Sequence, residues 1–308
     1  MNTIEAYEQE ISYQITDLPK FIHEFKIEKL SMKDQERCVF TGAGDSFAAA
    51  MIAEYASNYK VRCIDPMNIC LNPSIVKDRI LYALSISGNT RANVEAVKIA
   101  NKRATRTVAI TANRESRLAK VCNEVIELKF RSSGMLTAGS IGFTTSMLAC
   151  LSLVRDVRID NVKKMFMNAK SDASKVKLNG HAYILGSWFA YPLAMYGCAK
   201  VYEVLGMKAQ YAMLEQFCHM ELFSVKNSDT VLILSHDDKA EDLYAKLVDD
   251  GYNVLMFRPK GKTLEENLIY YAMLLQLIVL YNAKRSKLDE CYFITNNRLR
   301  KISSSLIY

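Results

Sequence analysis

Short runs of β-branched and apolar residues alternate with longer helical stretches along this chain of 308 residues, and this alternation restricts the fold more than any other feature. In the first half it predicts helices near residues 46–58, 89–103 and 140–157. The strands predicted around them are Cys38–Phe40, Val61–Ile64, Ile80–Leu84, Thr107–Ile110 and Glu124–Leu128. Such alternation is typical of a parallel sheet with helices on both faces, so we predict a three-layer α/β fold.

The second half repeats this order in a shorter form, after a helical connector near 158–175. Its predicted elements are a strand Ala182–Leu185, a helix from about 190, a strand Thr230–Leu234, a helix near 239–249 and a strand Asn253–Phe257. We therefore expect three regions. They are a helical lead-in over 1–30 that packs on the first domain, a first domain over 31–158, and a second domain over 159–308 that ends in a helical tail.

Several bulk features bear on where the protein works. The longest apolar run, Leu268 to Tyr281, is interrupted by Gln276 and is shorter than the roughly 20 residues that span a bilayer. We interpret it as a helix buried in a core or a subunit interface, and expect no membrane partner.

Met1–Ala6 lacks the features of a secretory signal, and the eight cysteines are scattered singly, as in a reducing compartment. We therefore expect a cytoplasmic protein without a metal site.

The net charge of +7 is carried by lysines and arginines that are spread along the chain among acidic residues. A nucleic-acid-binding domain usually concentrates its cations on one face. An anionic small substrate explains a mild basic excess equally well, so we expect no nucleic-acid partner.

Two turns of the first half combine glycine with hydroxyl groups at the start of a helix. They are Thr41–Ser46, after the first predicted strand, and Ser85–Thr90, after the third. Glycine allows close approach of the backbone to an anion, and helix N-termini and hydroxyls donate hydrogen bonds to it. The sequence thus predicts a phosphate site, and the alternative is that Ser46 or Thr90 merely caps its helix. The predicted phosphate-binding residues are Gly44, Ser46, Ser85, Ser87 and Thr90.

A nucleotide-binding alternative rests on Gly42-x-Gly44 after a strand and on Asp65 at the end of the next. Phe47 stands where the third glycine of that fingerprint belongs, and a second hydroxyl-rich turn has no role in a dinucleotide site. The chain also lacks a G-x-x-x-x-G-K-[ST] loop. We therefore expect no nicotinamide, flavin or other organic cofactor.

The residues of these turns resemble the signature of the sugar isomerase (SIS) domain family, with Gly42-Ala43-Gly44-Asp45-Ser46 and Ser85-Ile86-Ser87-Gly88-Asn89-Thr90. In the second half, Gly186–Ala194 and Gly197–Glu203 are similar to the isomerase module of glucosamine-6-phosphate synthase. The resemblance runs from about residue 35 to near the C-terminus. It implies two SIS domains, with phosphate bound in the first and proton transfer by a glutamate of the second.

Carried over by position, the resemblance makes Glu203 the base and His219 the ring-opening histidine, which that family contributes across a dimer interface. It makes Lys301 the counterpart of an essential lysine and implies a homodimer. Each residue also has an ordinary alternative. Glu203 could be an exposed acid paired with Lys200, His219 a core or capping histidine, and Lys301 a cation at a solvated helix end. Whether His219 acts within its own subunit is open.

The chain departs from the synthase pattern in places. Tyr196 stands where the module has a glutamate, and Met135–Ile141 lacks an acid and a lysine of that pattern. No glutamine-hydrolysing domain is recognisable and residue 2 is Asn, so we expect that this chain alone does not use glutamine. We predict an isomerase that interconverts aldose and ketose hexose 6-phosphates through an enediol. The alternatives are a glucosamine-6-phosphate deaminase and a non-catalytic sugar-phosphate-binding regulator.

Overall fold

The computed structural model describes residues 1–235 and 237–308, which form two compact units. The five-stranded unit comprises Lys20–Arg131, Ile141–Val157 and Arg298–Tyr308. The four-stranded unit comprises Met1–Pro19, Ser132–Ser140 and Arg158–Asn297. Each unit is built around one sheet, and every strand pair described in the two sheets is parallel.

The sheet of the five-stranded unit has the order β2-β1-β3-β4-β5. Its strands are β1 (Cys38–Gly42), β2 (Arg62–Cys63), β3 (Ile80–Leu84), β4 (Arg106–Thr111) and β5 (Glu124–Glu127). The helices up to residue 157 are α1 (Thr3–Glu24), α2 (Met32–Gln35), α3 (Asp45–Ala56), α4 (Pro66–Leu71), α5 (Arg91–Ala100), α6 (Arg117–Val121) and α7 (Ile141–Val154), with a 3-10 helix at Pro73–Val76. Of these, α1 begins in the four-stranded unit.

The central strands of this sheet are buried on both faces, as their apolar composition predicts. On one face, Val39, Leu81 and Ala109 pack with Val94 and Val97 of α5 in a continuous apolar cluster. In β1 and β3, Cys38 pairs with Ile80 and Gly42 pairs with Leu84, so the two strands end side by side. The residues that follow them therefore lie at the same edge of the sheet.

The sheet of the four-stranded unit has the order β7-β6-β8-β9. Its strands are β6 (Ala182–Gly186), β7 (Ala209–Ala212), β8 (Thr230–Leu234) and β9 (Asn253–Met256). The remaining helices are α8 (Val162–Ala173), α9 (Ala190–Lys200), α10 (Leu214–His219), α11 (Asp238–Asp249), α12 (Leu264–Arg285), α13 (Tyr292–Thr295) and α14 (Asn297–Ile307), with a π-helix at Val201–Leu205 and a 3-10 helix at Glu221–Ser224. Of these, α14 belongs almost wholly to the five-stranded unit.

The long apolar helix α12 is a core helix. By length and composition it is the one described helix that could cross a membrane, but 83% of its most apolar window is buried inside the protein. It packs against α8 and α9 of its own unit. The interpretation of Leu268–Tyr281 as a helix buried in a core is therefore confirmed.

Most of α1 also belongs to the four-stranded unit. The Thr3 hydroxyl donates to Glu290 at 2.5 Å, and the Gln14 amide donates to Gln276 of α12 at 2.6 Å. We expected the lead-in to pack on the first domain, but residues 1–19 belong to the four-stranded unit. Their apolar spacing predicted a buried helix face, but such spacing does not say which sheet the face covers.

The predicted α/β architecture of parallel strands flanked by helices is confirmed. The strand β7, which pairs with β6 through Ala182 and Ala209, has no counterpart among the predicted strands. The residues of β7 read Ala-Gln-Tyr-Ala, with no β-branched side chain. The strand is stabilised by its neighbour in the sheet and not by local propensity.

Candidate functional site

The two hydroxyl-rich turns follow neighbouring strands. Thr41–Ser46 leaves β1 and Ser85–Thr90 leaves β3, and the last residues of these strands, Gly42 and Leu84, are directly paired. Ligands of open parallel sheets bind at this carboxyl edge. The five-stranded unit therefore brings together the two segments that the sequence analysis selected for phosphate binding.

The turn Ser85–Thr90 is held by hydrogen bonds at several points. The Gly88 N–H donates to the carbonyl of Ser85 at 3.0 Å, and the Oγ of Ser85 lies 3.2 Å from the Oγ1 of Thr90. Outside the turn, the Asn93 amide donates to the carbonyl of Leu84 at 2.8 Å. Ser87 is exposed and Ser85 is buried. The turn is thus preorganised, and at its tip it presents the exposed Ser87 hydroxyl, which accepts from the Asn89 N–H at 3.3 Å.

Helix capping does not account for the hydroxyl residues of these turns. Thr90 occupies the N-cap position of α5, yet in the described chain its side chain makes no capping bond and meets Ser85 instead. The N-cap of α3 is Gly44, so Ser46 lies within the helix. Gly44 has a φ of 56°, and a Cβ there would have no atom within 4 Å. Both helix starts therefore lack a side-chain cap, which leaves donors for an anion.

Only glycine fits at position 88, because the space around its Cα is filled and its backbone conformation is left-handed. Its φ is +64°, and a Cβ on it would lie 2.0 Å from the Oγ of Ser116. The hydroxyl of Ser116 caps α6 by accepting from the Ala119 N–H at 3.3 Å. Any larger residue at 88 would therefore disturb both the turn and the start of α6.

The structure adds Arg117 to the set of phosphate candidates. Its backbone N–H donates to the Asn89 side chain at 3.3 Å, and its guanidinium donates to the Asn89 carbonyl. The guanidinium also donates to the carbonyl of Tyr308 at 3.1 Å. A cation thus lies against the tip of the turn. No sequence pattern indicated this role, because Arg117 follows β4 and not the strands that carry the glycine motifs.

In the four-stranded unit, Glu203 lies on the π-helix Val201–Leu205 that continues α9. Short π-helical segments are rare and occur frequently at functional sites. The Glu203 carboxylate forms an ion pair with the Lys200 ammonium. The Lys200 side chain is 0% exposed, whereas that of Glu203 is 37% exposed. The alternative for Glu203 was an exposed acid paired with Lys200. In the structure the carboxylate of this pair reaches solvent, but the ammonium of Lys200 is fully buried.

Tyr196 lies one turn before Lys200 on α9. The Lys200 Nζ is 5.2 Å from the centroid of the Tyr196 ring, and the Tyr196 hydroxyl donates to the Gly139 carbonyl at 2.7 Å. The sequence analysis named Lys200 only as a pairing partner of Glu203. The spacing of the two residues predicted the pair but not the burial of the lysine.

His219 and Lys301 are both exposed. His219 ends α10, and its Nε2 lies 3.0 Å from Oε1 of Glu215. Hydrogen bonds from Lys239 and then from His219 lower the pKa of the Glu215 carboxyl. Among the described residues, no hydrogen bond joins His219 to Glu203. Lys301 lies on α14. The roles assigned to these two residues by resemblance stay predictions.

No protein-family model matches the chain. Among curated proteins, two that are similar in sequence are both glutamine–fructose-6-phosphate aminotransferases (isomerizing). That of Sulfolobus acidocaldarius is 28% identical over 196 residues, covering 58% of this chain and 33% of that protein. That of Sulfurisphaera tokodaii is 22% identical over 234 residues, covering 71% of this chain and 40% of that protein. This chain is homologous to the SIS region of these enzymes. The matches span less than half of the length of these relatives.

Solved structures share the fold over nearly the whole chain. Glucosamine-6-phosphate deaminase from Thermotoga maritima is 19% identical with a TM-score of 0.76, covering 92% of this chain and 96% of that one. The C-terminal domain of glucosamine-fructose-6-phosphate aminotransferase from Francisella tularensis is 16% identical, with a TM-score of 0.72 and coverage of 92% and 97%. Tagatose-6-phosphate ketose/aldose isomerase from Escherichia coli is 18% identical, with a TM-score of 0.67 and coverage of 92% and 90%. The SIS-type fold expected from the two turns is confirmed.

Proposed function

We propose that the chain is a phosphosugar isomerase that interconverts aldose and ketose hexose 6-phosphates by proton transfer through an enediol. The observation that supports this most directly is the pairing of Gly42 with Leu84, which brings the two hydroxyl-rich turns to one edge of a sheet. Two uncapped helix starts and a guanidinium nearby match the charge of a phosphate monoester. The names of the similar proteins agree with such a substrate.

In this proposal the phosphate is bound by the five-stranded unit. Gly44 and Ser46 contribute the start of α3, and Ser85, Ser87 and Thr90 contribute hydroxyls and backbone N–H groups. Arg117 adds a charge-assisted hydrogen bond. A phosphate anchored in this way holds the sugar in one orientation, which converts proton transfer into an intramolecular step.

Glu203 is the proposed base. Its carboxylate removes the proton from the carbon next to the carbonyl and returns it to the neighbouring carbon, which interconverts aldose and ketose. The ion pair with Lys200 keeps the carboxylate in one position. His219, in its own subunit or across a homodimer interface, is the proposed proton shuttle for ring opening, and Lys301 is a further candidate by resemblance. The proposal needs no metal or organic cofactor and places the protein in the cytoplasm.

A second candidate function is glucosamine-6-phosphate deamination. The similarity in fold to the Thermotoga maritima deaminase favours it, and its enediol-type step requires the same base. Tyr196 also occupies the position at which the resemblance led us to expect a glutamate. That difference weakens amino transfer and leaves either isomerisation or loss of ammonia.

The test is solvent exchange. The purified protein is incubated in deuterated water with fructose 6-phosphate, with and without ammonia, and the products are followed by proton NMR. Deuterium at C1 or C2 without ammonia supports the isomerase, and a product that forms only with ammonia supports the deaminase. Tight binding without any exchange would contradict both and favour a sugar-phosphate-binding regulator.

Substitution of Glu203 by Gln separates the base from the binding site. Loss of a general base lowers the rate of exchange by about 10²- to 10⁴-fold, while affinity for the sugar phosphate stays nearly unchanged. The matched control is Glu241→Gln, which removes a carboxylate on α11 that pairs with Arg258. Full exchange activity in Glu203→Gln would show that another residue is the base.

A further inference from the structure

A chain of buried polar side chains leads from α1 to the centre around Glu203 within the four-stranded unit. The Gln14 amide donates to the Gln276 side-chain oxygen at 2.6 Å, and the Gln276 amide donates to the Tyr196 hydroxyl at 3.0 Å. All three side chains belong to residues that are 0% exposed. Polar groups at this depth are stable only when they are hydrogen-bonded. The position of each of these three side chains therefore depends on its hydrogen-bonded neighbour in the chain.

Tyr196 is the point at which this chain meets α9. Its hydroxyl accepts from Gln276 and donates to the Gly139 carbonyl at 2.7 Å. A phenol with both a donor and an acceptor partner cannot swing out of place without losing a buried hydrogen bond, which is unfavourable. The ring is therefore held at a defined place beside Lys200.

The ring of Tyr196 in turn limits where the Lys200 ammonium can lie. The Nζ atom is 5.2 Å from the ring centroid, within the range in which an aromatic face attracts a cation. Lysine carries its charge on a flexible four-carbon stem, so a buried ammonium has no fixed position unless its surroundings provide one. Here the surroundings include the Tyr196 ring and the Glu203 carboxylate.

We propose that Gln14, Gln276 and Tyr196 are positioning residues that hold the Lys200 ammonium, and through it the Glu203 carboxylate, in the orientation needed for proton transfer. The catalytic part of this inference rests on the proposed function, but the geometric part does not. Through Gln14, this arrangement gives helix α1 a role in the reaction centre. No residue of α1 forms a hydrogen bond with Glu203 in the described chain.

The identity of residue 196 adds a reason for this arrangement. A carboxylate at that position would compete with Glu203 for the ammonium, because both would lie one turn from Lys200 along the helix. A tyrosine offers a neutral ring and an anchored hydroxyl instead. The ammonium is thus directed toward Glu203.

The experiment compares Tyr196→Phe with Tyr271→Phe. Tyr271 is also buried, lies in the same unit, and donates its hydroxyl to the Phe257 carbonyl at 2.9 Å. Tyr271→Phe loses one buried hydrogen bond of the phenol. Tyr196→Phe loses two, and only this variant breaks the chain to Lys200. The protein is labelled with ¹⁵N-lysine, and the Nζ signal of Lys200 is assigned by its absence in Lys200→Met. A held, buried ammonium gives a persistent Nζ signal, whereas a mobile one is averaged by exchange with water.

We expect the Lys200 signal to persist in wild type and in Tyr271→Phe, and to broaden or vanish in Tyr196→Phe. If Tyr196→Phe does not fold, Gln14→Leu tests the same chain one step further away. In the solvent-exchange assay, Tyr196→Phe should lower kcat about 10- to 100-fold with little change in KM, as expected when a catalytic group is misplaced.

An unchanged Lys200 signal in Tyr196→Phe and Gln14→Leu would overturn the inference whatever the activity. So would a loss of the signal in Tyr271→Phe as well, because that would indicate general loosening. If the signal responds as expected but wild type exchanges no deuterium with any hexose 6-phosphate, the positioning is upheld and the proposed function fails.

Discussion

The Lys200 ammonium and the Glu203 carboxylate form an ion pair in which only the carboxylate reaches solvent. Water can compensate the charge of Glu203 but cannot reach the charge of Lys200. The two residues therefore contribute unequally to stability. Loss of the Glu203 carboxylate leaves the buried charge of Lys200 without a partner, whereas loss of the Lys200 ammonium leaves a carboxylate that water can hydrate. This asymmetry allows the pair to be tested by stability as well as by activity.

We predict that Glu203→Gln lowers the free energy of unfolding by about 2 kcal/mol, whereas Lys200→Met changes it by less than about 1 kcal/mol. Glutamine keeps a hydrogen-bond acceptor beside Lys200 but removes its countercharge. Methionine fills the volume of the lysine stem with apolar atoms. Urea denaturation of both variants at pH 7 measures the difference.

Equal destabilisation by the two substitutions would contradict the unequal burial of the pair. Glu241→Gln serves again as the control, since its partner Arg258 is exposed. Exposed ion pairs contribute about 0–1 kcal/mol, so this variant should unfold close to wild type.

The hydroxyl of Thr90 is predicted to act in binding and not in folding. Thr90→Val should weaken the affinity for fructose 6-phosphate about tenfold, which is the effect of one lost hydrogen bond to a charged group. Stability should change little because the hydroxyl does not cap α5. Isothermal titration calorimetry measures the affinity. Thr105→Val is the control, since within the described residues that hydroxyl bonds to the Arg79 carbonyl at 3.0 Å. A destabilised protein with unchanged affinity would support the capping role instead.

Most of the fold could be predicted from the sequence because its central strands are continuous apolar runs. Ile80–Leu84 and Thr230–Leu234 are observed with the bounds that were predicted. The strand β7 and the short helix α10 lacked such patterns and were missed. The partner of α1 was assigned wrongly, because an amphipathic face states that a helix is buried but not against what.

The candidate phosphate turns could be found because glycine and hydroxyl residues there follow one another along the chain. The residues that surround Glu203 could not be found in this way. Tyr196, Gln276 and Gln14 come from three helices far apart in sequence, and their hydrogen bonds arise only when the four-stranded unit is folded. The burial of Lys200 has the same origin. Sequence patterns report local geometry, whereas a buried polar chain is a property of the packed core.

Gly88 is predicted to be irreplaceable. Gly88→Ala should lower the free energy of unfolding by about 3 kcal/mol, because it combines an unfavourable φ of +64° with a clash of the Cβ against Ser116. Affinity for the sugar phosphate should fall as the turn moves. Gly251→Ala is the matched control. Its φ is +78° and a Cβ there meets no atom within 4 Å, so it should cost only about 1–2 kcal/mol of backbone strain. Equal effects in urea denaturation would contradict the steric argument.

Alkaline pH is predicted to destabilise the five-stranded unit through the thiol of Cys38. Burial in β1, and then the nearby Asp34 carboxylate, raise the pKa of Cys38 from 9.0 to about 12. Between these values the unfolded chain loses the thiol proton while the folded protein keeps it. The folded state then binds more protons, so the free energy of unfolding falls as pH rises. Below pH 9 both states are protonated, and this contribution to stability is fully present.

The expected slope from this one thiol is at most about 1.4 kcal/mol per pH unit between pH 9 and 12. Urea denaturation at pH 7, 8, 9.5 and 10.5 compares wild type with Cys38→Ala. The variant is less stable at every pH because it leaves a cavity beside β3, but its free energy of unfolding should decline less steeply above pH 9. The difference between the two proteins should be constant from pH 7 to 8. Parallel declines above pH 9 would mean that Cys38 ionises in the folded protein as readily as in the unfolded chain, against its burial in the sheet.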